Sequence, residues 1–277
     1  MGRIAAAVRW AVRQMGVTRV KLTGGEPLLR RGVVEFVRRL NADPGVVEIS
    51  MTTNGTRLAA LAEGLATAGL SRVNVSLDTL NEARFRDLTR GGEVRGVIVG
   101  IDAALSAGLA PVKLNAVLRR SSFQKDVPTL LAFAARRGLE VRFIELMRTG
   151  SGAAFAESEF VSSREVRERL GLDGTPEPAR ADAGPARRLR VPFGDRDVMT
   201  GWIEPVSHSF CGGCSRLRLD ARGDLRRCLM DAKSYPLLDR LEEGDDESLV
   251  ENVERFLAGK RPPVSFETPR SMAAIGG

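Results

Sequence analysis

Residues 17–27 read Val-Thr-Arg-Val-Lys-Leu-Thr-Gly-Gly-Glu-Pro. A β-branched run, Val17 to Thr23, stops at a glycine pair, and a helical pattern follows around Arg31 to Leu40. Short apolar runs ending in Gly, Pro or Asn clusters mark strands, and apolar residues at three- and four-residue spacing mark helices. The unit then recurs. Val46 to Thr53 is the next strand, with Asn54-Gly55 as its turn and a helix through Ala68. Arg72 to Leu77 is a third, followed by helical stretches near 81–89 and 94–107. Pro111 to Leu118 precedes a helix from Val127 to Arg137, and Val141 to Leu146 is the fifth strand. Strands joined by helical crossovers pair in parallel, and the right-handed rule curls such an α/β sheet toward a barrel.

On the amino-terminal side, Ile4, Val8, Ala11, Val12 and Met15 share one helical face, so a core-facing helix is expected almost from residue 1. Arg9 and Arg13 interrupt what would be the apolar core of a secretion signal, and Ala6 stands where a myristoylation pattern needs Ser or Thr. On the carboxyl side, residues 171–190 are rich in Gly, Pro, Ala and Asp and lose periodicity, as a linker does. Beyond it lie strand-like segments near 188–192 and 198–204, a cysteine-rich hairpin at 211–228, and helices at 235–242 and 246–258. The expected organisation is a partial barrel over 1–170, a linker over 171–190 and a C-terminal domain over 191–277.

Composition narrows the function. The chain has 277 residues, 43% hydrophobic and 28% charged, the balance of a globular protein. No apolar run approaches the ~20 residues needed to span a bilayer. Three cysteines exclude a disulfide scaffold. The net charge of +7 comes from 37 Arg against 5 Lys spread along the chain, and aromatics are only 5%, so stacking platforms for nucleic acid are lacking. A surface that prefers anionic small molecules is the inference that remains, in a cytoplasmic protein.

Ligands of parallel α/β folds sit at the carboxyl ends of the strands, and polar residues collect there. Thr23-Gly24-Gly25-Glu26-Pro27 ends the first strand, Thr52-Thr53-Asn54-Gly55 the second, Ser76 and Asp78 the third. Lys113 and Asn115 lie within the fourth, and Glu145 and Met147 end the fifth.

Cys211-Gly212-Gly213-Cys214 followed by Cys228 is a soft-metal spacing. The glycines let the backbone turn so that two thiolates point inward, and the hairpin returns a third. Two sites fit this donor set: a zinc closed by the single histidine, His208, or an iron–sulfur cluster with one iron left open. Arg216 and Arg218 alternate after the second cysteine, which suits phosphate binding beside a metal.

Taken together, these motifs resemble the GTP 3',8-cyclase family of molybdenum cofactor biosynthesis, a branch of the radical S-adenosylmethionine enzymes. The resemblance rests on Thr23 to Pro27, Thr52 to Gly55, Asn74 to Asp78, Phe143 to Met147, the Cys211/Cys214/Cys228 set with Arg216 and Arg218, and the terminal Gly276-Gly277. It implies a partial (β/α)6 barrel lacking its first strand, with a C-terminal iron–sulfur substrate domain. Gly25, Glu26, Ser76 and Met147 would contact S-adenosylmethionine. Lys21, Thr52, Lys113, Arg216, Leu217 and Arg218 would line the GTP pocket, Lys21 standing where the family carries an arginine. Cys211, Cys214 and Cys228 would hold a [4Fe–4S] cluster whose open iron meets guanine, and Gly276 and Gly277 would reach the active site.

The implied reaction converts GTP to (8S)-3',8-cyclo-7,8-dihydroguanosine 5'-triphosphate. The implied partners are GTP, an electron donor, cyclic pyranopterin monophosphate synthase acting on the product, and a second copy of the chain as a candidate. The family's CxxxCxxC loop, which holds the cluster that cleaves S-adenosylmethionine, has no counterpart among these residues. The expectation is therefore a chain starting after that loop, unable to cleave S-adenosylmethionine alone, with Val17 to Thr23 as an unpaired apolar edge. A non-catalytic GTP-binding or regulatory module and a Cys3His zinc module are the alternatives.

Overall fold

The computed structural model describes residues 2–149, 153–178, 184–244, 246–263 and 267–268. The alternating part comprises α1 (Gly2–Met15), β1 (Arg19–Leu22), α2 (Val33–Asn41), β2 (Glu48–Thr53), α3 (Leu58–Thr67), β3 (Arg72–Ser76), α4 (Glu82–Thr89), α5 (Val94–Ser106), β4 (Lys113–Val117), α6 (Phe123–Arg137) and β5 (Glu140–Ile144). The remainder comprises β6 (Arg148–Thr149), α7 (Ala156–Glu159), α8 (Ser163–Leu170), β7 (Thr175–Pro176), β8 (Arg187–Phe193), β9 (Arg196–Ile203), β10 (Arg218–Leu219), β11 (Leu225–Arg226), α9 (Leu237–Glu243), α10 (Asp246–Ala258) and β12 (Glu267–Thr268).

One eight-stranded sheet runs in the order β1-β2-β3-β4-β5-β9-β8-β7, parallel from β1 through β9 and antiparallel beyond. This is the partial barrel that the sequence pattern implied. The hairpin β8–β9, legible as two strands, joins the sheet directly beside β5. β1 stands at the end of the order, but it is not uniformly apolar. Val20 and Leu22 are half-buried while Arg19 and Lys21 are exposed, and charges on an edge strand discourage pairing with other chains.

Local sequence explains the elements. Asn81 and Ser162 accept the backbone N–H groups of Arg84 and Glu165 and so cap α4 and α8. α6 starts at Phe123, ahead of the expected Val127; the backbone N–H groups of Lys125 and Asp126 bond to the Ser122 carbonyl. Gly100 is required by close approach: a Cβ there would lie 2.5 Å from the Gly55 carbonyl oxygen, where α5 crosses the start of α3.

The strands alternate, and this positions the site. Ile49, Met51, Val73, Val75, Leu114, Val141 and Phe143 face the helices and are almost fully buried in the main core. Their neighbours, period two apart, are Lys21, Glu48, Ser50, Thr52, Arg72, Asn74, Ser76, Lys113, Asn115, Glu140 and Arg142. One face of the sheet is therefore apolar and the other polar.

A second, smaller core joins Ala7 and Trp10 of α1 to Leu225, Leu237, Leu238, Leu249 and Val253. α1 belongs to both: Ala5 packs under the sheet, Ala7 and Trp10 under the cysteine hairpin. No helix among the described residues is long and apolar enough to cross a membrane.

Candidate functional site

The polar face carries a buried charge network. Glu140 accepts from Lys113 Nζ at 3.0 Å, Arg142 Nε at 2.8 Å and Arg188 Nη2 at 3.3 Å. Burial alone would raise the Glu140 pKa, but Arg142 and then Lys113 outweigh it and hold the carboxyl below its ordinary range. Arg72 pairs with Glu48 at 2.6 Å. Lys113 is pushed down, first by burial and then by Arg142, which Glu140 does not fully offset.

Lys21 is the focus of this network. The residue is exposed and has no hydrogen bond or ion pair among the described residues. Desolvation, then Arg142, Arg72, Arg216 and Lys113, lower its pKa to about 8. Five cations from four strands and the cysteine hairpin therefore repel one another in one place. A protein holds such an arrangement when an anion is to relieve it. Two buried acceptors on the same face, Asn74 Oδ1 and Asn115 Oδ1, lack a partner among the described residues, as does Arg188 Nε. Thr52 Oγ1 accepts from Asn74 Nδ2 at 3.2 Å.

The cysteines adjoin the cations. Cys211 opens a short 3-10 turn, and the Cys214 N–H returns to the Cys211 carbonyl at 3.2 Å. Cys214 Sγ receives Arg216 Nε at 3.5 Å and Lys260 Nζ at 3.8 Å, and Cys228 Sγ receives the Met230 N–H at 3.4 Å. Burial would raise the Cys214 pKa, but Arg216, seconded by Lys260, draws it down toward the thiolate. Arg218 is lowered by burial and by Arg216, and it feels both Cys228 and Cys214. The donor set is chemically that of a soft metal: three free thiols with N–H groups aimed at two sulfurs. Among the described residues, no group of three or more His, Cys, Asp or Glu closes on a common point. His208 is exposed, its backbone N–H bonded to the Glu204 carbonyl.

The remaining expected residues divide. Glu26 uses its carboxylate on the chain itself, accepting from Leu28 N at 3.0 Å, Thr53 Oγ1 at 2.7 Å and Asn54 N at 2.6 Å. It ties the glycine turn to the end of β2. Ser76 is exposed and Met147 half-buried, both just at or past strand ends. Leu217 packs against the second core. Glu145 is fully buried and accepts the N–H groups of Ser163, Val206 and Ser207, bracing the approach to Cys211. Gly276 and Gly277 lie outside the described residues. Arg72, Glu140, Arg142 and Arg188 were not singled out from sequence, although strand alternation with Lys113 marks the first three. Lys260 carries no local signal, since 46 residues separate it from Cys214.

Two family models match the chain. Residues 1–134 match the model of the radical SAM superfamily, and residues 139–266 match Molybdenum Cofactor Synthesis C. The GTP 3',8-cyclase of Pelotomaculum thermopropionicum is 44% identical over 83% of this chain and 71% of its own. That of Moorella thermoacetica is 42% identical over 95% and 82%, and that of Paenarthrobacter nicotinovorans 37% over 99% and 84%. A radical SAM methyltransferase from Sphaerobacter thermophilus superposes with a TM-score of 0.44 at 22% identity, over 59% of this chain and 50% of that one. The two matched models and these relatives define a radical SAM protein. The chain belongs to the GTP 3',8-cyclase family of molybdenum cofactor biosynthesis.

Proposed function

We propose that this chain binds GTP across the polar face of the sheet, in the reaction that closes the bond between ribose C3' and guanine C8. The observation that carries this reading is the convergence of Arg142, Arg72, Arg216 and Lys113 on Lys21, beside Cys214. The triphosphate would lie on these cations, where charge-assisted bonds are strong. Asn74 and Asn115 offer unpartnered acceptors to sugar hydroxyls. Arg216 links the two halves of the site, since it couples to Lys21 and donates to Cys214. A nucleotide held at both ends is fixed in orientation, which is the main contribution a protein makes to an intramolecular ring closure.

Cys211, Cys214 and Cys228 would hold a [4Fe–4S] cluster. With three protein ligands it supplies one coordination position open to the base. Arg216, Lys260 and the Met230 N–H donate to the sulfurs and favour the thiolate forms. S-adenosylmethionine, the source of the radical in this family, would sit at the strand ends, near Gly25, Ser76 and Met147. Glu26 would act there through the turn it holds, since its carboxylate already accepts three hydrogen bonds from the chain. An electron donor, the synthase that consumes the product, and pairing with a second copy belong to the same proposal.

Anaerobic reconstitution followed by iron and GTP-binding measurements tests the reading. About four irons per chain are expected, lost in Cys228→Ser. GTP binding is expected to weaken roughly a hundredfold in Arg142→Ala, as removal of a charged partner from a desolvated site does. Zinc in place of iron, or unchanged GTP affinity in Arg142→Ala, would overturn it.

A further inference from the structure

The three thiols belong to two arms of the hairpin. Cys211 and Cys214 precede β10 and Cys228 follows β11, and the ladder between the arms is short, Arg218 opposite Arg226 and Leu219 opposite Leu225. So short a ladder is weak by itself and leaves the relative placement of the sulfurs to side chains. The carboxyl end of α10 supplies them. On the Cys228 arm, Arg227 donates to Asp231 at 2.6 Å and to the Phe256 carbonyl at 3.2 Å, and its guanidinium lies 4.7 Å from the Phe256 ring centroid. Gly259 leaves room for it, since a Cβ there would lie 2.1 Å from Arg227 Nη1. On the Cys214 arm, Lys260 Nζ donates to the Arg216 carbonyl at 2.7 Å and stands 3.8 Å from Cys214 Sγ.

The Lys260 contact is not the one its place in the chain favours. A basic residue at a helix end ordinarily bonds the last carbonyls of that helix. Arg261 does this, donating from Nη1 to the Ala258 carbonyl at 2.8 Å and to the Lys260 carbonyl at 2.9 Å. Lys260 instead reaches a segment 44 residues away. Cys214 therefore has two cationic neighbours with different duties. Arg216, with Nε 3.5 Å from the sulfur, is also coupled to Lys21 on the sheet. Both hydrogen bonds of the Lys260 ammonium serve the cysteine arm.

We infer that Lys260 is a positioning residue of the cysteine site: it ties the Cys214 arm to the end of α10 and fixes a positive charge beside that sulfur. The inference rests on the cluster reading above and adds a residue outside the hairpin that sets the reduction potential. A cation and an N–H donor beside a cluster thiolate favour the reduced, more negative state.

The test is a redox titration, followed by electron paramagnetic resonance, of the reconstituted 277-residue chain as wild type, Lys260→Met and Lys260→Arg, with iron and zinc determined on each. With three cysteines in the chain, the signal has one cluster as its source. About four irons per chain are expected in all three. Lys260→Met should show a roughly tenfold lower ratio of reduced to oxidised cluster at a given potential, a downward shift of about 59 mV for one electron. Lys260→Arg keeps the charge and should stay within about threefold of wild type. Iron lost from Lys260→Met alone would also support the inference, because the charge is what separates the two variants.

An unchanged ratio in Lys260→Met, an equal shift in both variants, or iron lost from both would overturn the inference and leave the cluster reading standing. Zinc in place of iron in the wild-type chain, or no bound metal, would overturn the cluster reading and this inference with it.

Discussion

The core beneath the sheet and the core beneath the cysteine hairpin are built on different principles. The first is a continuous parallel ladder covered by helices, with Val73, Val75, Val141, Phe143 and Trp202 at zero exposure. The second has only two-residue strands, β10 and β11, and is closed by side chains of α1, α9 and α10. Backbone ladders fix positions cooperatively, whereas side-chain clusters of this size open at lower free energy. Lys21, Arg72, Lys113 and Arg142 therefore stand on the stiffer part, and the cysteines with Arg216 on the softer one. A phosphate cradle gains from rigid pre-placement, and a thiol set that must close round a metal gains from some freedom.

The largest effects should separate the two cores. Trp202 packs against Phe143 with ring centroids 4.9 Å apart, and Trp202→Ala should cost about 3–5 kcal/mol in one global transition. Trp10→Ala removes as large a side chain, but its loss of hydrogen-exchange protection should be confined to β10, β11, α9 and α10. Equal loss in β2 to β5 would merge the two cores into one cooperative unit. Trp10→Phe sharpens the point: the Trp10 Nε1 donor is buried without a partner among the described residues, so removing it should leave stability near wild type.

The next effect belongs to the charge network. Glu140→Ala would leave Lys113, Arg142 and Arg188 buried without their shared carboxylate, a loss of about 3 kcal/mol measured by denaturant titration. The unfolding should remain global, because Glu140 is part of the ladder between β4 and β5. A loss confined to the cysteine hairpin would contradict the assignment of this network to the stiffer core.

These residues also show how far sequence alone reaches. The five parallel strands, their rim and the three cysteines were legible because periodicity and spacing are local. The alternation that puts Lys21, Arg72, Lys113, Glu140 and Arg142 on one face was equally local, although it takes strand pairing to show that they converge. The place of β8–β9 beside β5 was not legible, because a hairpin carries no mark of the strand it will join. Lys260 and Glu26 show the same limit. Each acts through a partner distant in the chain, and residue type alone names neither a sulfur nor the Asn54 N–H as that partner.

A smaller effect should appear as pH dependence. Folding lowers the Lys21 pKa from 10.5 to about 8, chiefly by desolvation and then by Arg142. Between these values the unfolded chain binds the proton and the folded chain does not, so stability should rise with pH through this window. Below about 8 both states carry the charge and the cost is present in full. Lys113, also lowered, acts in the same direction. Lys21→Met should therefore stabilise the protein at neutral pH and flatten the slope above it, as measured by denaturant midpoints at several pH values. A slope unchanged in that variant would remove Lys21 from the network.

The smallest effect concerns an exposed contact between α1 and α9. Arg3 of α1 reaches Glu242 of α9 through two hydrogen bonds and lies 3.7 Å from Asp239. All three side chains are more than half exposed, so water and salt screen the attraction and the ordering of two long side chains opposes it. Arg3→Ala should leave both the global transition and the exchange protection of α9 unchanged, at low salt as well as high. What joins the cores is then the burial of Ala7 and Trp10, which the same measurement reports in Trp10→Ala. If Arg3→Ala instead released α9 at low salt only, the junction would be electrostatic, and the softer core would owe its docking to charge.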